Sequence, residues 1–192
     1  MNPMNEPPTE KTKMIAGEPY MSNDPELTRD RKRAKALCYR YNQQVEELDK
    51  VTLADLLGYT TDAYLEPPFY CDYGYNIQLG ANVYANHNLV ILDCAPVTIG
   101  DNVFIAPNVV ISTAAHPIDA QVRSTGLEFA KPIVIGSNVW IGATVTILPG
   151  VEIGDNVTIG AGSVVTRSIP PNSVAVGNPC RVLKSLPEPK IT

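Results

Sequence analysis

Between Ile133 and Gly162 the chain repeats one six-residue phrase five times: Ile133-Val-Ile-Gly-Ser-Asn, Val139-Trp-Ile-Gly-Ala-Thr, Val145-Thr-Ile-Leu-Pro-Gly, Val151-Glu-Ile-Gly-Asp-Asn and Val157-Thr-Ile-Gly-Ala-Gly. Each phrase has an apolar residue at its first and third positions, which is strand alternation and not the three-to-four spacing of a helix face. Glycine or a small polar residue follows, so each phrase reads as a short strand and a corner. A hexapeptide period of this kind specifies a parallel β-helix.

The period is legible earlier, in Ile77-Gln-Leu-Gly80, Val83-Tyr-Ala85, Leu89-Val-Ile91, Val97-Thr-Ile-Gly100, Val103-Phe-Ile105 and Val109-Val-Ile111. From Leu89 to Val97 the step is eight, which makes Ala95 and Pro96 a two-residue slip. Between Ile111 and Ile133 the pattern lapses, and residues 112–132, with His116, Pro117, Arg123, Gly126 and Glu128, are expected to leave the coil as a long loop. Loops held on a rigid scaffold are where function concentrates. Each rung of such a coil bonds only to its neighbours about 4.8 Å away, and no rung is stable alone. Ile135, Ile141, Ile147, Ile153 and Ile159 are expected inside, each contributing about 1.5 to 3 kcal/mol on burial.

Before the coil, Asp24 and Pro25 form a helix start signal. Leu37, Tyr41, Val45 and Leu48 then recur at helical spacing, predicting one helix over 28–50 with Arg29, Arg31, Lys32, Arg33 and Lys35 as a solvated basic face. A second short helix is predicted from Leu53 to Leu57, ending near Gly58, the pair capping the first rungs. The first ten or so residues are expected to be disordered. The organisation predicted is an N-terminal segment with a helical cap over 1–62, a coil over 63–186 with its loop at 112–132, and a tail over 187–192.

The 192 residues, 44% of them hydrophobic, suit one soluble domain, and a net charge of −5 gives no basic footprint for nucleic acid. No apolar run approaches the length of a membrane span and the start lacks signal-peptide regions, which predicts a cytoplasmic protein without membrane contact. Cys38, Cys71, Cys94 and Cys180 are scattered without a CxxC pair and suggest neither a zinc site nor a disulfide framework; small buried residues are the expectation. Two histidines are too few for a three-histidine zinc hydratase on the same kind of coil. A non-catalytic coil would need neither the interruption nor the basic residues at the late rungs.

Seven segments, in order, resemble the maltose and galactoside O-acetyltransferases: Met14-Ile-Ala-Gly-Glu-Pro-Tyr20, Glu66-Pro-Pro-Phe-Tyr-Cys-Asp-Tyr-Gly-Tyr-Asn-Ile77, Tyr84-Ala-Asn86, Ile99-Gly-Asp-Asn102, Ala115-His-Pro-Ile118, Asn138-Val-Trp-Ile-Gly142 and Gly177-Asn-Pro-Cys-Arg181. The resemblance covers Met14 to Leu186. It implies an all-β, left-handed parallel β-helix of triangular section, a homotrimer, and acetyl transfer from acetyl-CoA to a hydroxyl of a sugar such as maltose or glucose, without a metal. A galactoside, an amino acid or a xenobiotic is the alternative acceptor. Left-handedness is an exception to the usual crossover rule and is implied by the resemblance alone.

His116 is the expected general base, since a sugar hydroxyl is a poor nucleophile at neutral pH and imidazole as a class titrates nearby. It stands where the pattern breaks and where the family has its catalytic histidine. Asn86 matches an asparagine whose amide assists the transition state, the alternative being a coil-corner asparagine. The resemblance implies direct transfer in a ternary complex, with no acyl group on a cysteine.

Acceptor contacts are expected from Asp72, Asp93, Asp24, Tyr84 and Glu128, carboxylates accepting from several hydroxyls. Where Asp72 stands the galactoside enzymes have serine, which favours glucose-type acceptors, and Cys94 stands where their pattern has a second aspartate. Asp24 lies two residues from the family's N-terminal acid, whose register Ser22 occupies, so a helix cap is its alternative role. For CoA the resemblance implies Trp140, Gly142, Ala143, Ala161, Thr166, Arg167, Arg181 and Lys184, small residues letting the pantetheine arm lie close and cations meeting phosphates. Packing between subunits is the alternative for Trp140.

Overall fold

The computed structural model describes residues 7–43 and 52–187. The hexapeptide phrases form a three-faced coil of parallel strands. The first face stacks β2 (Tyr64–Leu65), β5 (Tyr84–Ala85), β8 (Phe104–Ile105), β13 (Trp140–Ile141), β16 (Val157–Ile159) and β18 (Ser173–Val176). The second stacks β3 (Phe69–Cys71), β6 (Leu89–Leu92), β9 (Val110–Ser112), β14 (Thr146–Ile147) and β17 (Val164–Val165). The third stacks β4 (Ile77–Leu79), β7 (Val97–Ile99), β12 (Ile133–Ile135) and β15 (Glu152–Ile153), to which Ile169 adds a bridge.

Strands of two to four residues persist because each lies in register on the one beneath it: Trp140 pairs with both Phe104 and Thr158, and Thr146 with both Val110 and Val164. The predicted isoleucine column is interior, Ile135, Ile141, Ile147, Ile153 and Ile159 all being buried. Asparagines turn many of the corners, with Asn82, Asn88, Asn102, Asn108, Asn138 and Asn156 at positive φ, a region this side chain tolerates better than most. An antiparallel final strand, β19 (Arg181–Ser185), pairs with β18 and closes the first face.

The N-terminal cap is richer than expected. A helix α1 (Glu10–Ile15), capped by the Thr9 hydroxyl and not expected from the sequence, begins where the stretch expected to be disordered ends, and residues 1–6 of that stretch lie outside the described residues. The main helix α2 (Pro25–Gln43) begins three residues earlier than predicted and buries Leu27, Ala34, Cys38 and Tyr41. The positions Val45 and Leu48 lie outside the described residues. As predicted, α3 (Leu53–Leu57) ends at Gly58, and Thr52 with Asp55 closes its N-terminus as a capping box. The Tyr41 hydroxyl donates to the Leu65 carbonyl, and the Asn42 amide both donates to and accepts from the Phe69 backbone, clamping α2 onto the first rung.

Residues 112–132 leave the coil but are not an irregular loop. They form β10 (Ala114–Ala115), a turn of helix α4 (Ala120–Arg123) and β11 (Leu127–Ala130). Antiparallel pairing with β10 on one edge and with β1 (Tyr20–Met21) on the other makes β11 the centre of a three-stranded sheet. One of its two partners, β1, lies more than a hundred residues away, a pairing that no local pattern announces.

Ile141→Ala should cost about 3 kcal/mol, the usual scale for emptying a buried isoleucine site. Chemical denaturation of the variant beside the parent measures it, and a loss below about 1 kcal/mol would show that the rung is not closely packed.

Candidate active site

Three departures from the hexapeptide period occur at one corner. The interior step from Phe69 to Ile77 is eight residues, as is that from Leu89 to Val97, and the third turn runs from Val109 to Ile133 through the excursion. The corresponding steps in the next turns, Val145 to Val151 and Ser163 to Ile169, are six. The extra residues of successive turns therefore stack between the second and third faces.

Polar side chains fasten this stack together. Asp93 is fully buried, and its carboxylate accepts from the backbone N–H groups of Asp72 and Tyr73 at 2.9 Å and of Gly74 at 2.7 Å. Thr113 repeats the device one turn higher, its hydroxyl donating to the Leu92 carbonyl and accepting from the Ala95 N–H. A satellite apolar cluster of Met14, Tyr20, Leu27, Tyr73, Cys94, Ala95 and Ala130 fills the space between corner, excursion and cap.

A cleft of about 280 Å³ opens over this corner. Asp72 and Glu128, the expected acceptor contacts, and His116, the expected base, line it together with Ser22, Arg31 and Cys94. His116 follows directly on β10 and is solvent-exposed. Glu128 is on β11, where the buried Tyr20 hydroxyl donates to its carboxylate at 2.9 Å. Arg31, expected on a solvated face, instead reaches inward, its Nη1 donating to the Tyr73 hydroxyl at 2.7 Å and its Nη2 to the Ser22 carbonyl at 2.6 Å. Arg29, Lys32, Arg33 and Lys35 remain exposed. A helical wheel would have set Arg31 apart, since it lies four residues after the buried Leu27.

Burial pushes the Asp72 carboxyl up from the ordinary range. It also pushes the Cys94 thiol up to about 12, so that Cys94 is protonated at neutral pH, its Sγ lying 3.7 Å from Asp72 Oδ2. A thiol in that state is a poor nucleophile.

Two expected acceptor residues have other work. Asp93 is committed to the backbone and does not line the cleft; burial pushes its carboxyl up to about 6 against the pull of the amides it binds. Asp24 is a helix cap, its Oδ1 accepting from the N–H groups of Glu26 and Leu27. Ser22 lines the cleft in its stead.

The remaining residues lie elsewhere on the chain. Tyr84 and Trp140 are on the first face, where Tyr84 stacks between Tyr64 and Phe104 at centroid separations of 6.2 and 6.5 Å. Asn86, Gly142, Ala143 and Ala161 follow the first-face strands, in one column at the corner leading to the second face. Here the backbone is tight: a Cβ on Gly142 would lie 2.6 Å from the Ala161 nitrogen. Arg181 and Lys184 extend the first-face sheet through β19, whereas Thr166 and Arg167 follow β17 at the corner where the cleft lies. The expected residues thus fall at two separate corners of a single chain. Among the described residues no three His, Cys, Asp or Glu side chains converge as a metal-binding group, and no helix is long and apolar enough to cross a membrane.

A family model described as the maltose acetyltransferase hexapeptide capping motif matches residues 13–60, and the bacterial transferase hexapeptide model, six repeats, matches 132–167. The galactoside O-acetyltransferase of Escherichia coli strain K12 is 46% identical over 187 residues, covering 95% of this chain and 91% of that protein. The chain belongs to the maltose and galactoside O-acetyltransferase family. Its coil and cap superpose on the crystal structure of a maltose O-acetyltransferase from Clostridium difficile 630 with a TM-score of 0.91, at 51% identity over 95% of this chain and all of that one. A galactoside acetyltransferase in complex with coenzyme A matches with a TM-score of 0.86, at 43% identity over 95% of this chain and 93% of that one. The family thus has a member carrying the ligand for which the small-residue column was expected.

Asp93→Ala leaves three amides, two of them in buried hydrogen bonds, without an acceptor and should destabilise the protein by about 3 kcal/mol, more than Asp93→Asn, which keeps one acceptor oxygen. Denaturant unfolding of both variants tests this, and equal losses would assign Asp93 a packing role only.

Proposed function

We propose that this protein transfers an acetyl group from acetyl-CoA to a hydroxyl of a sugar such as maltose or glucose, as a cytoplasmic homotrimer. The observation that carries the proposal is the meeting of His116, Asp72, Glu128 and Arg31 on one small polar cleft. Carboxylates and a guanidinium beside a mobile-proton carrier suit a polyol, whose several hydroxyls both donate and accept. Asp72, where the galactoside enzymes have serine, favours a glucose-type acceptor.

In the reaction proposed, the His116 imidazole removes the proton from the attacking hydroxyl as oxygen adds to the thioester carbonyl. The Asn86 amide donates to the oxyanion of the tetrahedral intermediate. Collapse breaks the carbon–sulfur bond, and the imidazolium returns the proton to the CoA thiolate. Protonated Cys94 supports direct transfer in a ternary complex in preference to an acyl-enzyme.

Assembly follows from the separation of the half-sites. His116, Thr166 and Arg167 lie at the corner between second and third faces, and Asn86, Gly142, Ala143 and Ala161 at that between first and second. A groove between neighbouring copies joins one corner of each, with acetyl-CoA along the small-residue column and its phosphates near Arg167, Arg181 and Lys184. Tyr64, Phe104 and Trp140, 55%, 55% and 58% exposed in the single chain, give the first face an apolar ladder suited to that contact.

His116→Ala should lower turnover by about 10² to 10⁴-fold without loss of fold. Thiol release from acetyl-CoA is followed with glucose, maltose, galactosides, amino acids and aminoglycoside-like amines. Turnover confined to amines would replace the acceptor class, and full activity of the variant would remove His116 from the chemistry. Sedimentation paired with the same assay should find activity only in trimers; folded monomers with full turnover would refute the shared site.

A further inference from the structure

The cysteines outside the cleft contain a pair that sequence spacing concealed. Cys38 on α2 and Cys71 at the end of β3, 33 residues apart, bring their sulfurs to 3.7 Å. Their approach is held by the surrounding structure. Asn42, one helical turn beyond Cys38, exchanges two hydrogen bonds of 2.9 and 2.8 Å with the Phe69 backbone, and Phe69 shares the inner side of β3 with Cys71. Strand pairing with Ile91 fixes Cys71 from the other side, and the Asp93 carboxylate grips the three amides that follow it. Cys38 and Cys71, both buried, are among the residues lining a cleft of about 410 Å³ with Lys35, Tyr39 and Tyr70.

We propose that Cys38 and Cys71 are a reversible oxidation site, which a hydroperoxide converts to a disulfide joining α2 to β3. The sulfur of one thiolate attacks a peroxide oxygen; the O–O bond breaks, leaving a sulfenic acid and an alcohol, or water from hydrogen peroxide. The second sulfur then attacks the sulfenic sulfur and displaces water, so that two thiols lose two hydrogens and two electrons to one peroxide. The Cys71 thiol, donating to the Cys38 sulfur, holds Cys38 below the ordinary thiol range, which favours Cys38 as the attacking group. Cys94 faces the acceptor cleft, and Cys180 lies in the turn before β19. Since Asp72 follows Cys71 directly, the bond braces the acceptor wall from behind.

Hydrogen peroxide treatment, alkylation of remaining thiols and peptide mass mapping test this independently of the acetyl-transfer proposal. The expected result is loss of two of the four thiols, one intrachain peptide pair containing Cys38 and Cys71, and reversal by dithiothreitol. Cys38→Ala and Cys71→Ala should each abolish the linked pair, whereas Cys94→Ala should retain it. Asn42→Ala should slow its formation while leaving the four thiols titratable after unfolding. An absent linkage in the parent protein, a linkage through Cys94 or Cys180, or one between chains would overturn the proposal.

Discussion

Every rung of this coil must offer the next one the same backbone. With strands of two to four residues, no rung has a stable structure of its own, and the ladder between rungs supplies what a longer strand would supply internally. This constraint governs where the chain can depart from its period. One extra residue inside a strand would shift every side chain beyond it between interior and surface, and an extra pair would still slip its ladder on the rungs beside it. At a corner the same insertion leaves the strands in register, provided the next turn matches it. Phe69 to Ile77 and Leu89 to Val97 are such a matched pair. The third turn expands the same corner into a twenty-residue departure and still returns Ile133 to its place on Val97. The cleft is therefore a consequence of the ladder: surplus chain can accumulate in one column only, and there it builds walls.

Surplus chain at a corner carries backbone amides that the ladder does not use, and these determine what acids can do there. Asp93 and Thr113 each turn downward and satisfy the turn beneath. Their neighbours Cys94 and Ala114 then line the cleft. Alternation along an extended segment thus divides acids with equal claims on a substrate: Asp93 is spent on the scaffold, whereas Asp72, whose backbone it holds, has its carboxyl beside the cleft. The acid that positions the site and the acid that can face a ligand belong to successive turns.

From Ile77 onward the coil was legible because Val and Ile at first and third positions are a chemical signature of interior alternation. The rung before it was not, since Phe69 and Cys71 are neither β-branched nor adjacent to a glycine corner, so the second eight-residue step escaped notice. Residues identified by motif, His116 and Asp72 among them, do lie on one cleft. Meetings between residues distant in sequence were not legible: Arg31 turns from the expected basic face to Tyr73, Tyr20 donates to Glu128, and Cys38, buried as expected, meets Cys71. Composition and period describe what a residue prefers locally. They do not describe which polar group waits across a gap of tens of residues, and most of the cleft consists of such meetings.

A parallel coil also limits what one chain can do catalytically. Its faces are flat sheets and its corners convex, so a lone prism offers ridges and shallow clefts in place of a deep pocket. In the reaction proposed, a base that follows β10 and an amide donor that follows β5 act on one carbonyl, and within a single chain they lie at separate corners. Pairing the ridge of one copy with the face of another creates concavity without disturbing any rung. On that proposal a base carried on an excursion braced by β1 suits the geometry, since a group that must reach across to a neighbour needs a rigid arm. Under the same proposal, flexibility at His116 would spread its approach to the hydroxyl over many orientations and forfeit the advantage of positioning. In that mechanism β1, which carries no expected catalytic group, would contribute through the stiffness that its pairing with β11 gives to the arm.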